Sequence, residues 1–461
     1  MLFHRSYLLR NDGGVEIGLV YEPMQNQTEI QDFYRTSAGK YVEYWLAAIR
    51  NRPASDTLFD AEIENIFSAF DLAAQYDLHA LLIQGVEGIY HYCEGRGLYG
   101  PIQRQLALSL QAAEAAQDRG ALARNALYSG RIAMRCERFA QAQKEWRQGL
   151  ALAQQLDDRA LICDFATELG VLATESRQYN EAEESLQQAL SLAEELKGSE
   201  RIAVLLGELC RVAFFRHQLD QAEEYCVRGL AIATAQGYSH RTTGFLVYLG
   251  ILAETRGHFR AAQNHWERGL LLAREVGNLA RISNLLVNLA MISIQTEEFD
   301  KAEAYLREGL DVARRLGQRQ ETSHLLMDLG LLYGRRGQRE QAEECMDESI
   351  RLARETEHPP LIAYNLLKQG DFFLAQQEWQ RAEACFAECA DLRHSPNERD
   401  QEKAASAFWG LAQIEFARHN LSSAGRAAEE SLALFTAISH HRAAEVQRWL
   451  AALPPAPAEP G

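Results

Sequence analysis

A small residue returns every 40 positions through most of this chain. Gly130, Gly170, Cys210, Gly250, Ala290, Gly330, Gly370 and Gly410 form one series. Ala142, Ala182, Ala222, Ala262, Ala302, Ala342 and Ala382 form a second with the same step, continued by Ala424 after a two-residue insertion. A third runs through Gly149, Ala189, Gly229, Gly269, Gly309, Ser349, Cys389 and, shifted by two, Ser431. A fixed period of this length marks a structural unit that cannot bury its apolar face alone and needs a copy on each side. Small residues at fixed points let helices approach closely. A bulky side chain there would overpack, at about 1–3 kcal/mol.

The unit itself is plainest in residues 281–317. Leu285, Leu286, Leu289, Met291 and Ile292 give a first helix an apolar stripe of helical period. After a tight turn, Ala302, Leu306, Gly309, Leu310 and Ala313 share one face of a second helix. Gly317 ends it, as Gly237 and Gly277 do in their repeats, because Gly takes a left-handed backbone without strain. Eight such hairpins share one register over residues 119–453.

These hairpins resemble the tetratricopeptide repeat. Leu169-Gly170, Tyr179, Ala182 and Ala189 match its pattern of small and large residues, as do Leu329-Gly330 and Ala342. The resemblance implies an all-α fold: a right-handed superhelical solenoid of antiparallel helix pairs. It departs from the family in its 40-residue period, against about 34, and in lacking the Pro that follows the second helix. The extra residues are expected to lengthen the second helix and the return loop.

The front of the chain differs. Ser6–Leu9 and Val15–Val20 flank Asn11-Asp12-Gly13-Gly14, a β-hairpin signal. A helix is expected from about Glu29 to Ile49, then a polar loop with Pro53, then an amphipathic helix over 59–76. Together these resemble the region before the repeats of STAND signalling ATPases, the hairpin standing for the wing of a winged helix and 81–118 for a degenerate first repeat. No GxxxxGK[ST] phosphate loop occurs in the sequence. The resemblance therefore implies a sensor half without its nucleotide switch, with a separate ATPase or effector as a possible partner. The expected divisions are 1–40 for the hairpin remnant, 41–118 for the helical linker and degenerate repeat, 119–453 for the regular repeats, and 454–461 for a disordered tail. A loop with Pro396 is expected to interrupt the array before its last repeat.

Composition narrows the function. A net charge of −17 disfavours nucleic acid, which is held by Lys and Arg on phosphates, and an anionic membrane surface. No apolar run is long enough to span a bilayer and no signal peptide opens the chain. The acids after the second-helix Ala, such as Glu183, Glu184, Glu303, Glu343, Glu344 and Glu383, read as a solvated outer face. The eight Cys include no CxxC pair and read as free, buried and reduced, which suits the cytoplasm. No HExxH, GxSxG or dinucleotide fingerprint occurs, so no catalytic set, metal site or cofactor is expected.

The remaining candidate is the face of the first helices, which lines a groove in tetratricopeptide stacks. Carried over by register, that resemblance implies Arg124, Arg131, Arg135, Asp164, Glu168, Glu175, Glu208 and Arg211 early in the array. It implies Tyr248, Asn284, Asn288, Gln295, His324, Asp328 and Arg335 in the middle, then Tyr364, Lys368 and Asp371. Asn284 and Asn288 share a helix face, and their amides can bond both N–H and C=O of an extended peptide. The expected partner is a protein or peptide, with a small-molecule sensor as the alternative. Equally, these groups could pair with one another across neighbouring repeats. The oligomeric state is not legible.

Overall fold

The computed structural model describes residues 4–11, 14–23, 27–51, 57–394 and 397–454. It divides into two compact units, Met1–Gln236 and Gly237–Gly461. Unit 1 opens with β1 (His4–Asn11) and β2 (Gly14–Pro23), paired antiparallel with Asn11 opposite Gly14 and Leu8 opposite Ile17. Asp12 and Gly13 of the expected turn lie outside the described residues. Next come α1 (Gln27–Asn51), which passes unbroken through residue 40, and α2 (Thr57–Gln75). The loop with Pro53 lies outside the described residues. Val42, Trp45 and Leu46 of α1 pack with Phe59, Ile66 and Phe70 of α2 in one core cluster.

Four helix pairs complete unit 1. They are α3 (His79–Gly95) with α4 (Tyr99–Ala115), α5 (Arg119–Arg135) with α6 (Phe139–Gln155), α7 (Arg159–Glu175) with α8 (Tyr179–Glu195), and α9 (Ser199–Phe215) with α10 (Leu219–Ala235). The pair over 81–118 is degenerate in composition alone. Its backbone keeps the common register, with buried Tyr90 in the small-residue slot. Unit 2 continues the pattern in α11 (Ser239–Thr255), α12 (Phe259–Val276), α13 (Leu279–Gln295), α14 (Phe299–Arg315), α15 (Arg319–Arg335), α16 (Arg339–Glu355), α17 (Pro359–Ala375) and α18 (Trp379–Ala390). A 3-10 turn (Asp391–His394), α19 (Glu398–Ala417), α20 (Leu421–Ala437) and α21 (Ala443–Ala452) end it. Pro396 and the tail from residue 455 lie outside the described residues. Among the described residues no helix is long and apolar enough to cross a membrane.

The backbone period is 20, half that of the side chains. First and second helices are alike, 17 residues each in α13 and α14, with three-residue turns on both sides. The expectation that the second helix and return loop are the longer parts is therefore corrected: first and second helices have the same length, and the two turns are alike. Each turn holds one residue in the left-handed region, in steps of 20 from Asp77 through Gly97, Gln117, Glu137 and onward to Gln377. The next N–H closes the helix end, as when Arg138 donates to Ala133 O at 2.8 Å. Gly fills this position at only some turns, because a single polar residue tolerates the conformation at modest strain. Glu297, with φ 61°, is one such residue. Glu297→Gly should stabilise unit 2 by roughly 0.5–1 kcal/mol, as relieved strain outweighs the added chain entropy. A chemical-denaturation midpoint that falls would contradict this reading of the turn.

Within each hairpin the small residue of the first helix receives a large residue 16 positions on. Trp146 lies over Gly130 and Trp266 over Gly250, and a Cβ at either glycine would fall inside the indole. The indoles are fixed by hydrogen bonds, Trp146 Nε1 to Leu127 O at 3.2 Å and Trp266 Nε1 to Val247 O at 3.1 Å. Leu186 and Met346 fill the same slot over Gly170 and Gly330, and Phe386 over Gly370. The second-helix alanines Ala142, Ala182, Ala222, Ala262, Ala302, Ala342 and Ala382 are all fully buried. Met291, placed by the sequence on the buried stripe, is 47% exposed.

Arginines tie successive hairpins together. Arg274–Glu308 (2.6 Å), Arg314–Glu348 (3.3 Å) and Arg354–Glu388 (2.8 Å) repeat one contact between neighbouring second helices. The first acid after the Ala also belongs to these ties. Glu183, Glu303, Glu343 and Glu383 accept from Arg216, Arg336, Arg381 and Arg418 of the following hairpin. The reading of these acids as solvated charge holds only for the next position, where Glu184, Glu224 and Glu344 are exposed.

Candidate functional site

In unit 1 the candidate residues on the first helices are engaged with one another. Arg124 Nε donates to Glu87 Oε1 at 2.7 Å, and Arg131 Nε to Glu168 Oε1 at 2.6 Å. Arg135 lies 3.5 Å from Glu94. Arg201 grips Asp164 through both carboxylate oxygens, at 2.7 and 2.9 Å. Arg211 holds Glu208 at 2.7 Å and also pairs with Glu175. Burial pushes the Glu168 carboxyl above its usual range, with Arg131 pulling it back. Three of these pairs, Glu87/Arg124, Arg131/Glu168 and Asp164/Arg201, join opposite charges 37 residues apart. Glu87, Glu94 and Arg201 were not among the residues picked from sequence. For Glu87 and Arg201 the signal is that spacing, which joins one repeat to the next across the 40-residue step; Glu94 stands 41 positions before its partner Arg135.

Unit 2 carries the same face differently. Tyr248 on α11 is half-buried; on α13, Asn284 and Gln295 are exposed and Asn288 half-buried. His324 on α15 is exposed and its ring meets that of Tyr364 on α17, centroids 5.4 Å apart. Lys368 Nζ sits 5.7 Å from the Tyr364 ring centroid. Arg335 and Asp371 are exposed, and burial of its surroundings still raises the Asp371 carboxyl. Asp328 is half-buried and has no hydrogen bond or ion pair among the described residues. Burial pushes its carboxyl up to about 6, with Lys368 on the next repeat pulling the other way.

The register explains this lack of a partner. In unit 1 the position after the small residue holds Arg131, which reaches Glu168 in the next repeat. The same two positions in unit 2 hold Met291 and Asp328, then Leu331 and Lys368. A methionine cannot donate to a carboxylate, so Asp328 stays open. Elsewhere on these helices, Ala280, Ser283 and Asn284 of α13 face Gly317, Gln318 and the start of α15 across a cleft of about 570 Å³. Among the described residues no group of three or more His, Cys, Asp or Glu side chains converges as a metal site.

An ionised carboxylate without a donor is a standing penalty. The folded pKa of Asp328, about 6, lies above its unfolded value of about 3.9. Stability from the protonated form is therefore present below the unfolded pKa and lost as pH rises through the folded one. Asp328→Asn should stabilise unit 2 by roughly 1–3 kcal/mol at pH 7.5 and by nothing measurable near pH 4. Thermal melts at the two pH values check this. An equal shift at both would mean that the carboxylate is not the source.

The sequence matches the profile of the tetratricopeptide repeat over residues 281–355 and again over 165–200. No curated protein matches the chain in sequence. Among solved structures it is similar to a signal-transduction ATPase with numerous domains (STAND) from Pyrococcus horikoshii that has a tetratricopeptide repeat sensor. That likeness has 12% identity and a TM-score of 0.55, and covers 94% of this chain and 68% of that one. It is also similar to aspartyl phosphate phosphatase F from Bacillus subtilis, at 13% identity and a TM-score of 0.50, covering 81% of this chain and 96% of that one. At such identities the likeness is one of fold. The helix pairs within 165–200 and 281–355 match the tetratricopeptide repeat, and the other pairs share their fold and their 40-residue period. This is typically the architecture of a non-catalytic interaction scaffold.

Proposed function

We propose that the chain is a non-catalytic interaction module that takes an extended protein or peptide segment on the first-helix face of unit 2. The observation that carries this is Asp328, a half-buried carboxylate with no hydrogen bond or ion pair among the described residues, on a face that unit 1 saturates with its own ion pairs. A segment that offers a Lys, an Arg or a free N–H would supply the missing donor. Asn284 and Asn288 can bond its backbone, and exposed Met291 gives an apolar contact beside them. The role that fits is regulatory, in keeping with the sensor named for the similar STAND protein. A phage-displayed library of random peptides, selected on the full chain, tests this. Selected peptides should bind the Asn288→Ala/Arg335→Ala chain more weakly, on the order of tenfold or more. Undiminished binding would rule out this face.

A small-molecule sensor is the second reading, favoured by the cleft beside Asn284, whose 570 Å³ falls within the range of about 300–1,000 Å³ usual for ligand pockets. A thermal-shift screen over sugars and metabolites separates the two. A ligand at about 100 times its dissociation constant adds about 2.7 kcal/mol to the unit that holds it.

A further inference from the structure

Cys210 on α9 and Cys226 on α10 stand apart from the packing pattern. They occupy the slot filled elsewhere by Gly130 under Trp146, Gly170 under Leu186 and Gly330 under Met346. Both are fully buried, and their sulfurs lie 2.6 Å apart. Unbonded heavy atoms keep about 3.5–4.0 Å, so this is closer than packing alone requires. Two cysteines fill about the volume of the Gly170–Leu186 pair. Size therefore accounts for their presence and leaves the sulfur contact unexplained. The other buried thiols with a described partner turn elsewhere: Cys163 to Ala189 O, Cys385 to Gln369 Oε1 and Cys389 to Ala363 O. Among the described residues Cys210–Cys226 is the one pair of cysteines in hydrogen-bonding contact.

We propose that Cys210 and Cys226 are an oxidation site, closed by a small hydroperoxide into a disulfide that staples α10 to α9. The Cys210 or Cys226 sulfur attacks the peroxide O–O bond as a thiolate. This gives a sulfenic acid, and the departing hydroxide takes up the thiol proton to leave as water. The second thiolate then attacks the sulfenyl sulfur and expels hydroxide, which leaves as a second water. Two thiols and one hydrogen peroxide thus become one disulfide and two waters. The sulfurs need to move only about 0.5 Å closer to reach the bonded length of about 2.05 Å. The hydrogen bond with the facing Cys210 thiol, and burial after it, push the Cys226 thiol far above the ordinary range, so the reaction waits on local opening of the hairpin. The closed bond would join α10 covalently to α9 and resist that opening.

The test treats the full chain with hydrogen peroxide under native conditions. The product is then denatured, alkylated and mapped by mass spectrometry. Exposed Cys136 reports that the oxidant has acted. The expected result is a tryptic peptide joining Cys210 to Cys226, loss of both these thiols to alkylation beyond that of Cys136, reversal by dithiothreitol, and a higher melting temperature for unit 1. Cys210→Ala, which recreates the Ala found at position 290 of the same series, should fold and lose both the cross-link and the shift. If Cys136 is oxidised while Cys210 and Cys226 remain alkylatable, or if either joins a different cysteine, the proposal is overturned.

Discussion

Trp146→Ala should lower the stability of unit 1 by about 3–5 kcal/mol, the largest effect expected of any single change considered for this chain. The indole is fully buried, fits over Gly130 because that residue has no Cβ, and is held by its bond to Leu127 O. Truncation leaves a cavity that two rigid helices cannot close. It also frees a buried carbonyl. Because each hairpin is stabilised by its neighbours, amide exchange should quicken in α3–α4 and α7–α8 as well as in α5–α6. A coupling test sharpens the point. Gly130→Ala alone should be destabilising, since its methyl collides with the ring. Gly130→Ala with Trp146→Leu should be more stable than the two single effects added together, because Ala290 and Leu306 already form that combination in unit 2. Strict additivity would show that the two positions do not share a slot.

Arg131→Met should cost unit 1 about 2–3 kcal/mol at neutral pH, less than a fully buried pair because water still reaches both side chains. It strands Glu168, whose side chain is 17% exposed and lies in the field of Glu94 and Glu208. The sign with pH follows from the carboxyl. Burial already raises its folded pKa, and removing Arg131 takes away the main pull downward. The deficit should therefore be small below the unfolded carboxylate pKa of about 4.3 and grow as pH rises through the folded value. Arg131→Met with Glu168→Met should recover most of the loss, since an apolar pair carries no desolvated charge. Urea titrations from acid to neutral pH decide the matter. A deficit that ignores pH, or that persists in the double variant, would mean that the arginine acts through packing.

Much of this was legible in the sequence, and the part that was not has physical causes. The 40-residue series located the hairpins and the close-packed slots, because a small residue there leaves room for the large residue 16 positions on. The 20-residue backbone period stayed hidden. Its left-handed turn residue is Glu137, Arg177 or His217 at some turns and Gly at others, the strain of the non-Gly residues being modest. Tyr90 made the first pair look degenerate, although its helices keep the common length. On the candidate face, register placed the residues but did not decide between mutual pairing and an open surface. That decision rests on what stands 37 positions away. Arg131 finds Glu168, whereas the corresponding position before Asp328 is Met291. The sequence held that spacing, but its meaning depends on how far one repeat is offset from the next.

The proposed function has unit 2 keep open, for a partner, a face that unit 1 closes with its own charges. Met291→Arg tests it by rebuilding in unit 2 the contact that Arg131 makes with Glu168. Calorimetric titration of a library-selected peptide into this variant should show binding weaker on the order of tenfold or more, because Asp328 is now occupied. Binding of unchanged affinity to Met291→Arg would contradict the account.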